Sequence, residues 1–580
     1  MAEHVQRRTR RFKLVAAAGA ASLIGAAWLG ACAADDSAAK AVPCDPDNGG
    51  LTLSPGYCAT VFADNLGHVR HLVVGPNGVV YANTWSGGYY PNAPPPEGGF
   101  LVALRDADQD GHAEVIERFG EGVAQGASGG TGVAVYGNAL YAEVSDRIVR
   151  YALAAGQVAP RGQPEVIVSG LPLGGDHPMH PFAIDAKGGL FVNLGSASNA
   201  CQAQNRAPGV PGADPCTELA TRGGIWRYDA GRPGQRFSPE ARYATGIRNT
   251  GGIAFDAGGR MFATQHGRDQ LAENWPALYK PGEGAELPAE ELLQVGPGDN
   301  FGWPQCYYDG TQGKLVLAPE YGGDGGKAVG VCAQRKAPVA AFPAHWAPND
   351  VAIYSGAQFP AAWRGGAFIA FHGSWNRAPF PQGGYNVVFQ PLKDGKASGD
   401  WVVFADGFAG GEKDPGKAAF RPAGLAVGPD GALYIADDVK GRIWRVAHAG
   451  AAGAGAIAPA PAPKAAATAA AGPDLPVPPG GTAEQVALGE KIYHGASGGT
   501  CAGCHGVDGA GTPLGPALTG GTWLWGDGGL ASITGIVAKG VPTPKKYRAP
   551  MPPAGGAQLS PQEVAAVSAY VWAIGHAGKR

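Results

Sequence analysis

The chain of 580 residues has 45 basic and 48 acidic side chains, which give a formal net charge of −3. This balance lacks the basic excess typical of nucleic-acid-binding surfaces, so we expect no nucleic-acid partner. The chain is rich in glycine (95) and proline (49), yet its 13 tryptophans, 19 tyrosines and 19 phenylalanines are spread throughout. Together these features favour turn-rich β-structure over disorder, and the length predicts more than one domain.

The N-terminus is predicted to be a signal peptide over residues 1–31. A basic segment from Arg7 to Lys13 precedes an apolar stretch from Leu14 to Leu29 that is short for a membrane span. The following Leu29-Gly30-Ala31-Cys32 resembles a bacterial lipobox. Cys32 is therefore expected to carry a lipid anchor, followed by a tether over 32–43, with ordinary secretory cleavage nearby as the alternative. Either route places the mature protein in an oxidising compartment, the bacterial periplasm or cell surface.

Residues 44–448 repeat one local pattern, an apolar strand, a turn rich in Pro, Asn, Asp and Gly, and a second apolar strand. The pattern occurs at Leu72–Tyr81, Val133–Tyr141, Phe182–Val192, Ile253–Phe262, Val351–Ile369 and Leu425–Tyr434. Six irregular repeats over about 400 residues predict an all-β, six-bladed β-propeller. A β-sandwich with long loops is the alternative.

One acidic motif within this region resembles a calcium loop. Asp106-Ala107-Asp108-Gln109-Asp110-Gly111 together with Glu117 fits the EF-hand pattern. The flanking Leu101–Arg105 and Val115–Phe119 have strand character, whereas an EF-hand needs helices. The pattern therefore favours a polar hairpin turn and leaves open whether it binds calcium.

Residues 449–480 are rich in Ala and Pro, which is typical of a semi-rigid linker. The chain then reaches Cys501-Ala502-Gly503-Cys504-His505, the C-x-x-C-H motif for covalent attachment of c-type haem. Cys501 and Cys504 would form the thioethers, His505 would bind the iron, and Met551 is the expected sixth ligand, a pair suited to electron transfer. The alternatives are a redox pair of cysteines or half of a zinc site.

The sequence around the haem motif predicts a small all-α domain over 481–580. A helix is predicted from Thr482 to Tyr493, and Ser560-Pro561-Gln562-Glu563 is a capping box that begins a second helix. The region resembles a class I cytochrome c domain. In that interpretation Pro516, Trp523 and Trp525 line the haem pocket.

The six cysteines that remain after Cys32, Cys501 and Cys504 are expected to form disulfides. Six cysteines allow fifteen connectivities. Short loop closures favour pairing in sequence order, whereas buried free thiols would be unusual in an exported protein. The predicted pairs are Cys44–Cys58, Cys201–Cys216 and Cys306–Cys332.

Five motifs in the propeller region carry a family resemblance. They are Thr245-Gly246-Ile247-Arg248-Asn249, Gly252-Ile253-Ala254-Phe255, Gln265-His266-Gly267-Arg268-Asp269, Asn300-Phe301-Gly302-Trp303-Pro304 and His372-Gly373-Ser374-Trp375-Asn376-Arg377. In this order they resemble the quinoprotein soluble aldose (glucose) and L-sorbosone dehydrogenase family. The resemblance implies a six-bladed propeller that binds pyrroloquinoline quinone (PQQ) and calcium near its axis.

The resemblance also assigns roles to residues. Arg248 and Asn249 match a cofactor-binding pair, Arg421 matches an arginine near the cofactor carboxylates, and Arg377 lies within one residue of a family lysine. Arginine suits these roles because its charged, planar group pairs with carboxylates. The backbone carbonyls of Gly267 and Arg268 would bind calcium, which prefers oxygen ligands.

The resemblance places His177 at the catalytic histidine, which takes the substrate hydroxyl proton. His180 is a second candidate base. The glucose-specific branch of the family has an aspartate that orients the catalytic histidine, and Ser196 occupies that position here. The resemblance therefore does not identify the residue that orients His177.

These patterns predict a PQQ- and calcium-dependent dehydrogenase of a sugar, polyol or related aldehyde. Electrons would leave through haem c to an acceptor cytochrome c or the respiratory chain. Two alternatives stand beside this function: a calcium-dependent lactone hydrolase, and a non-enzymatic electron-transfer or binding propeller.

Overall fold

A computed structural model describes most of the chain from residue 44 to residue 577. It leaves out 86–89, 91–92, 123, 125–126, 128–129, 379, 451–455, 462–474, 495–500, 507–508, 512–514, 548–549 and 558 within that range. The predicted signal peptide, the lipidation site Cys32 and the tether up to residue 43 lie outside the described residues.

Six sheets of at least four strands form the larger part of the structure, and their strands are antiparallel except for Gln235–Arg236, which pairs parallel. Blade 1 contains His71–Val74, Val80–Asn83, Leu101–Arg105 and Val115–Phe119. Blade 2 contains Val133–Tyr136, Ala139–Val144, Arg147–Ala152 and Glu165–Ser169, with Gln235–Arg236 at its edge. Blade 3 contains Phe182–Ile184, Gly189–Leu194, Gly224–Asp229 and Arg242–Thr245.

The second half of the ring repeats this arrangement. Blade 4 contains Ile253–Phe255, Met261–Gln265, Glu290–Val295 and Ala340–Phe342. Blade 5 contains Pro348–Ile353, Ala367–Phe371, Asn386–Gln390 and Val402–Asp406, with Thr52–Leu53 at its edge. Blade 6 contains Pro422–Val427, Leu433–Asp437, Ile443–His448 and Tyr57–Ala63. Two further hairpins are Cys306–Asp309 with Lys314–Leu317, and Leu392–Lys393 with Lys396–Ala397.

The blades form a six-bladed β-propeller, as the sequence predicts. Their first strands contact one another in sequence from blade 1 to blade 6, and the first strand of blade 6 contacts that of blade 1. Each of the six predicted strand pairs is the inner hairpin of one blade. Blade 6 closes the ring because Tyr57–Ala63, from the start of the chain, pairs antiparallel with Ile443–His448.

The inner turns explain why the pattern recurs. In blade 3, Asp185 Oδ1 accepts the backbone N–H groups of Lys187 and Gly189, both at 2.8 Å. Gly188 between them has a φ of 84°, in the left-handed region that glycine adopts without strain. Asp256 makes the equivalent pair of bonds in blade 4. In both blades the Asp side chain bonds the backbone of its own turn, and a glycine follows it. This combination therefore determines the hairpin between the two innermost strands.

Helices are short in the propeller and longer after it. The propeller carries α1 (Leu271–Asn274) and α2 (Pro281–Glu286) between the second and third strands of blade 4. The C-terminal region contains α3 (Ala483–Tyr493), α4 (Cys501–His505), α5 (Leu530–Lys539) and α6 (Pro561–His576). Single 3₁₀ turns occur at Asn48–Gly50, Thr217–Ala220, Pro239–Ala241, Pro319–Tyr321, Gly330–Gln334, Ala361–Trp363 and Pro553–Gly556. Among the described residues, none of these helices has the length and apolar character needed to cross a bilayer.

The two predicted helices of the C-terminal domain are confirmed as α3 and α6. Each begins with a reciprocal capping box, Thr482 with Gln485 in α3 and Ser560 with Glu563 in α6. The helices cross at Gly489, where a side-chain Cβ would lie 2.0 Å from the backbone oxygen of Ala566. Glycine is therefore needed for the close approach. The sequence did not predict α5, which packs against α6.

The start of the predicted linker is attached to the propeller. The Ser54 hydroxyl donates to the Ala458 carbonyl at 2.7 Å, and the Ala460 N–H donates to the Val403 carbonyl at 2.7 Å. Ile457 packs against the core between blades 5 and 6. At the other end, Leu475 packs against the core of the C-terminal domain.

The three predicted disulfides are confirmed. Cys44–Cys58, Cys201–Cys216 and Cys306–Cys332 are all bonded. Cys501 and Cys504, which the haem motif assigns to thioethers, form no disulfide among the described residues.

Candidate active site

Buried polar side chains gather at one face of the propeller. They lie just before the first strand of a blade or just after its second strand. The first two strands of every blade are antiparallel, so these two positions share one end of the blade. Residues that are far apart in sequence, such as His177, Arg248, His372 and Asp438, therefore meet near the axis.

His177 occupies the loop before blade 3 and is 8% exposed. Its Nδ1 lies 2.9 Å from the Ser196 carbonyl oxygen and 3.0 Å from the Ser196 hydroxyl. Burial, reinforced by the charge of Arg248, lowers the pKa of His177 to about 3. The ring is therefore neutral near pH 7, and no described residue hydrogen-bonds to its Nε2.

Three ion pairs hold the segment around His177. The guanidinium of Arg206 pairs with Asp176 at 3.0 Å and with Asp269 at 2.9 Å. Arg248 pairs with the same Asp269 oxygen at 2.9 Å. Burial opposes ionisation of Asp269, but Arg248 and Arg206 hold its pKa well below the ordinary value. This network ties the residue before His177 to blade 4.

Arg248 and Asn249, the predicted cofactor-binding pair, lie together in the network around His177. The Arg248 guanidinium also donates to the carbonyl oxygens of Asn199 (3.2 Å) and Gly267 (3.0 Å). The Asn249 amide nitrogen lies 2.8 Å from His266 Nδ1. Both side chains are thus fixed within the network around His177.

The other side of the axis carries a second charged cluster. Asp438, which is fully buried, accepts from Arg70 and from His372 Nε2, both at 2.7 Å. Burial and the charge of Arg421 lower the pKa of His372 to about 4, so the ring is a neutral donor to Asp438. Arg70 also acts electrostatically on His266, which links this cluster to the His177 side.

Arg421 differs from the other arginines of the site. Its Nε and Nη2 donate to the carbonyls of His372 (3.0 Å) and Gly373 (2.7 Å), and it lies over the Tyr385 ring. Within the described chain, no carboxylate pairs with its guanidinium. A cation held by neutral oxygens is suited to bind a carboxylate of a ligand.

Arg377 has a different environment from the one that the resemblance implies. Its guanidinium donates to the carbonyls of Pro381, Ala285 and Ala344 and pairs with Glu286. These contacts hold α2 against the loop between the second and third strands of blade 5. The structure therefore gives Arg377 a scaffold role at the edge of the site.

His180, the second candidate base, is bonded through both ring nitrogens. Nδ1 lies 3.0 Å from a Glu143 carboxylate oxygen, and Nε2 lies 2.9 Å from the Pro172 carbonyl. Glu143 is fully buried and also accepts three backbone N–H groups. A ring with an acceptor at each nitrogen presents no lone pair to a substrate, whereas no described residue hydrogen-bonds to His177 Nε2.

The carbonyls proposed for calcium are compatible with an oxygen-ligated ion. The Gly267 carbonyl has a second lone pair beside the bond from Arg248, and no described donor bonds to the Arg268 carbonyl. The Arg268 side chain turns away to form a buried pair with Glu320. Glu290, which accepts the Gly267 N–H at 2.8 Å, supports this segment from behind.

The acidic hairpin provides a second place where a cation could bind. Ligand oxygens of Asp106, Asp108, Asp110 and Glu114 lie within 4.8 Å of one another. The flanking segments are strands of blade 1, as predicted, and Glu117 lies on one of them opposite Ala103 rather than in the cluster.

The C-terminal domain contains an open pocket. Its lining is mainly apolar and includes the predicted residues Cys501, Cys504, His505, Pro516, Trp523, Trp525 and Met551. His505 Nδ1 donates to the Pro516 carbonyl at 2.9 Å, which leaves Nε2 for a metal. Met551 is fixed by two backbone bonds with Val541, at 2.8 and 3.0 Å. The thiols, the imidazole and the thioether fit a covalently attached, six-coordinate haem.

This haem-binding region lies close to the network around His177. Burial raises the pKa of the Cys504 thiol to about 11, and the charge of Arg206 opposes this shift. A Cβ on Gly556 would lie 4.0 Å from Glu273 of α1. The haem attachment segment therefore faces the part of the propeller that holds His177.

Several site residues were not identified from the sequence: Arg70, Asp176, Asn199, Arg206, Asp269 and Asp438. The available signal was positional, since a polar residue directly before a first strand or after a second strand faces the axis. Arg206 lacked even this signal because it lies in the loop closed by Cys201–Cys216.

The fold and the two sites define a six-bladed β-propeller protein that carries a cytochrome c domain. The chain belongs to the TrAA12-like family, whose model matches residues 51–449, and the cytochrome c model matches residues 486–575. A pyrroloquinoline quinone-dependent pyranose dehydrogenase of Coprinopsis cinerea is 27% identical over 234 residues. That match spans 34% of this chain and 30% of the relative, so the chain covers less than a third of the relative's length.

Solved structures agree with this fold. The iodide structure of the Trichoderma reesei protein of Carbohydrate-Active Enzymes Family AA12 is 18% identical, with a TM-score of 0.54. The match covers 69% of this chain and 98% of that one. The holo PQQ domain of the Coprinopsis cinerea pyranose dehydrogenase is 19% identical, with a TM-score of 0.52 over 68% of this chain and 97% of that one.

Proposed function

We propose that this chain is a PQQ-dependent dehydrogenase of a sugar, or of a related polyol or aldehyde. Its cytochrome c domain would carry the electrons onward. The observation that carries the proposal is the environment of His177, a buried imidazole beside a cluster of arginines, whose Nε2 hydrogen-bonds to no described residue. The haem pocket of the same chain faces this cluster.

The arginines supply the binding chemistry for the cofactor. Arg421 has donors that face only carbonyls, and Arg248 and Asn249 lie on the other side of the axis. PQQ carries three carboxylates, which would be held by these guanidinium groups. The carbonyls of Gly267 and Arg268 would hold calcium as a Lewis acid.

The reaction also requires a base. The substrate loses a hydroxyl proton and a hydride, and PQQ, when bound, supplies the ortho-quinone that accepts the hydride with its two electrons. His177 Nε2 takes the proton, since its Nδ1 is already engaged. Asp176 favours the protonated ring electrostatically and so stabilises the imidazolium that results. Haem c in the C-terminal pocket would supply a one-electron relay to an external acceptor, a cytochrome c or the respiratory chain.

The sugar class is supported by the relatives. The Coprinopsis cinerea relative is named as a pyranose dehydrogenase. We extend to this chain only the class, a cyclic sugar or a similar polyhydroxy compound. The proposed site in the periplasm or at the cell surface, with a lipid anchor at Cys32, rests on the lipobox. Replacing Cys32 with Ser should release the protein from membranes or stall its processing.

The test is a substrate screen of the full chain with haem attached and loaded with PQQ and calcium. Addition of the right sugar should reduce the haem, which is followed by visible absorbance. His177→Ala should lower this rate by about 10²- to 10⁴-fold, the range for a positioned general base. Chemical reduction of the haem should be unchanged in that variant. Lactone hydrolysis without haem reduction by any sugar would instead support the hydrolase alternative.

A further inference from the structure

We infer that Ser196 is a positioning residue that holds His177 in one tautomer, with a proton on Nδ1 and a lone pair on Nε2. It does so with neutral groups, a backbone carbonyl and a hydroxyl, instead of a carboxylate. The inference rests on the proposed function, in which His177 accepts the substrate proton.

The direction of the hydrogen bonds determines the tautomer. The Ser196 carbonyl oxygen, 2.9 Å from His177 Nδ1, can only accept. The Ser196 hydroxyl donates its own hydrogen to the Ser198 carbonyl at 2.7 Å, so toward Nδ1 it also offers a lone pair. Both partners therefore require a hydrogen on Nδ1. A neutral ring has one N–H, and this leaves the lone pair on Nε2.

Ser196 is itself held in place. Its N–H donates to the Arg248 carbonyl at 2.7 Å. The next two residues donate their N–H groups to one oxygen of Glu218, at 2.8 and 3.2 Å, and the Ser198 hydroxyl bonds the other oxygen. The Cys201–Cys216 disulfide closes the same loop. The orienting oxygens are thus fixed before any substrate arrives.

The two loops also approach each other too closely for other side chains. A Cβ on Gly195 would lie 2.6 Å from His177 Cβ. A Cβ on Gly175, which has a φ of 74°, would lie 2.5 Å from Ala197 Cα. The close packing fixes the ring of His177 against Ser196 and removes the freedom to turn Nδ1 toward the substrate.

The charged groups around the His177 ring affect how readily it is protonated. Arg248 and His266 disfavour the protonated ring, and Asp176 favours it. No carboxylate among the described residues hydrogen-bonds to the ring. The base should therefore stay unprotonated, and the enzyme active, well into the acidic range.

The main test replaces Ser196 with Asp, which places a carboxylate at Nδ1. An opposite charge within about 4–6 Å raises a histidine pKa by about 1–3 pH units. The acidic limb of the kcat/KM profile for substrate-driven haem reduction should therefore move to higher pH by at least about one unit. Ser398→Asp, at an exposed position, is the matched control and should leave the profile unchanged.

A second variant tests the hydroxyl alone. Ser196→Ala keeps the backbone carbonyl but removes one of the two acceptors. We expect kcat to fall about tenfold, since small losses of orientation slow a reaction strongly, while KM stays nearly constant. An unshifted profile in Ser196→Asp together with an unchanged kcat in Ser196→Ala would overturn the inference.

The tautomer can also be observed without turnover. In the full-length protein with reduced haem and ¹⁵N-labelled histidine, the His177 signals are those missing in His177→Ala. They should show a protonated Nδ1 and an unprotonated Nε2 near neutral pH. The opposite tautomer would overturn the inference even if sugars reduce the haem, and the expected tautomer without sugar oxidation would refute only the proposed function.

Discussion

Arg421 and Arg377 should respond differently to removal because their guanidinium groups have different partners. Arg421 donates to two carbonyls and forms no ion pair with a described carboxylate, whereas Arg377 is bonded to three carbonyls and Glu286. We expect Arg421→Ala to weaken PQQ binding by about tenfold or more, the loss of one charge-assisted hydrogen bond. Titration of PQQ into cofactor-free protein measures this effect.

Arg377→Ala is the matched comparison. It should lower the melting temperature of the propeller, because buried carbonyls of Ala285 and Ala344 lose their donor. Its affinity for PQQ should change much less than that of Arg421→Ala. Equal losses of PQQ affinity in the two variants would contradict the scaffold role of Arg377.

Glu291 should make the propeller less stable as the pH rises. Its side chain is 3% exposed, with Gln265 donating to one oxygen at 2.9 Å and no described partner for the other. Burial raises its pKa to about 8 from an ordinary value of 4.5. The folded state therefore keeps a proton that the unfolded chain releases. The contribution to stability is fully present below pH 4.5 and is lost as the pH rises to about 8.

Glu291→Gln removes this ionisation but keeps the size of the side chain. The difference in melting temperature between pH 5 and pH 8 should be smaller in Glu291→Gln than in the unchanged protein. Glu97→Gln, at an exposed position, should retain the full difference. The neighbouring Glu290, whose pKa burial also raises to about 8, explains why part of the difference should remain.

Short loop closures predicted the pairing of the six disulfide cysteines correctly. His505 and Met551, singled out by the haem motif and its surroundings, line one pocket. Residue types alone could not show that Arg377 faces backbone carbonyls or that His180 faces Glu143, because both facts depend on contacts across blades. The sequence also left the hydrogen-bond partner of His177 undetermined. One of its partners is the backbone carbonyl of Ser196, which every residue type would provide.

At the scale of elements, the crossing of α3 and α6 depends on one glycine. A Cβ on Gly489 would lie 2.0 Å from the Ala566 backbone oxygen, which cannot move away without distorting α6. We expect Gly489→Ala to destabilise the cytochrome c domain by about 1–3 kcal/mol, the usual cost of overpacking. Thermal unfolding followed at the haem absorbance measures the change, and haem content should fall as well.

Gly535→Ala provides the control within the same domain. Gly535 lies inside α5, and a Cβ there would meet nothing within 4 Å. Alanine is a better helix former than glycine, so this variant should be more stable by about 0.5–1 kcal/mol. A stable Gly489→Ala variant would mean that the two helices do not pack at this point.

Elements were predictable where their signals are local. Four inner hairpins, those of blades 1, 3, 4 and 6, have an Asp or Asn that precedes a glycine, and α3 and α6 have capping boxes, so both classes were found. Helix α5 begins at Leu530 after Gly529, which makes no side-chain cap bond, and it was missed. The edge strand Gln235–Arg236 of blade 2 was also missed, because two residues held by a parallel neighbour carry no periodic pattern.

At the scale of the whole molecule, the haem pocket faces the charged network of the propeller within one chain. Arg206, bonded to Asp176 beside the base, is near enough to Cys504 to influence its thiol. We therefore expect substrate-driven haem reduction to be first-order within each molecule. Its rate constant, measured by rapid mixing at saturating sugar, should stay the same over a tenfold dilution of the protein. A rate constant that falls in proportion to dilution would place electron transfer between molecules.

The attachment of residues 456–461 to the propeller decides where this chain can be divided. A shortened protein that stops at His448 would expose the apolar surface that Ile457 covers between blades 5 and 6, and it would leave the Ser54 hydroxyl without its acceptor. One that stops after Pro461 would keep both contacts and lose only the haem-binding part. The folded propeller therefore extends to about Pro461, because Ile457 and the backbone groups of Ala458 and Ala460 contact it. The Ala- and Pro-rich composition of this segment does not indicate these contacts.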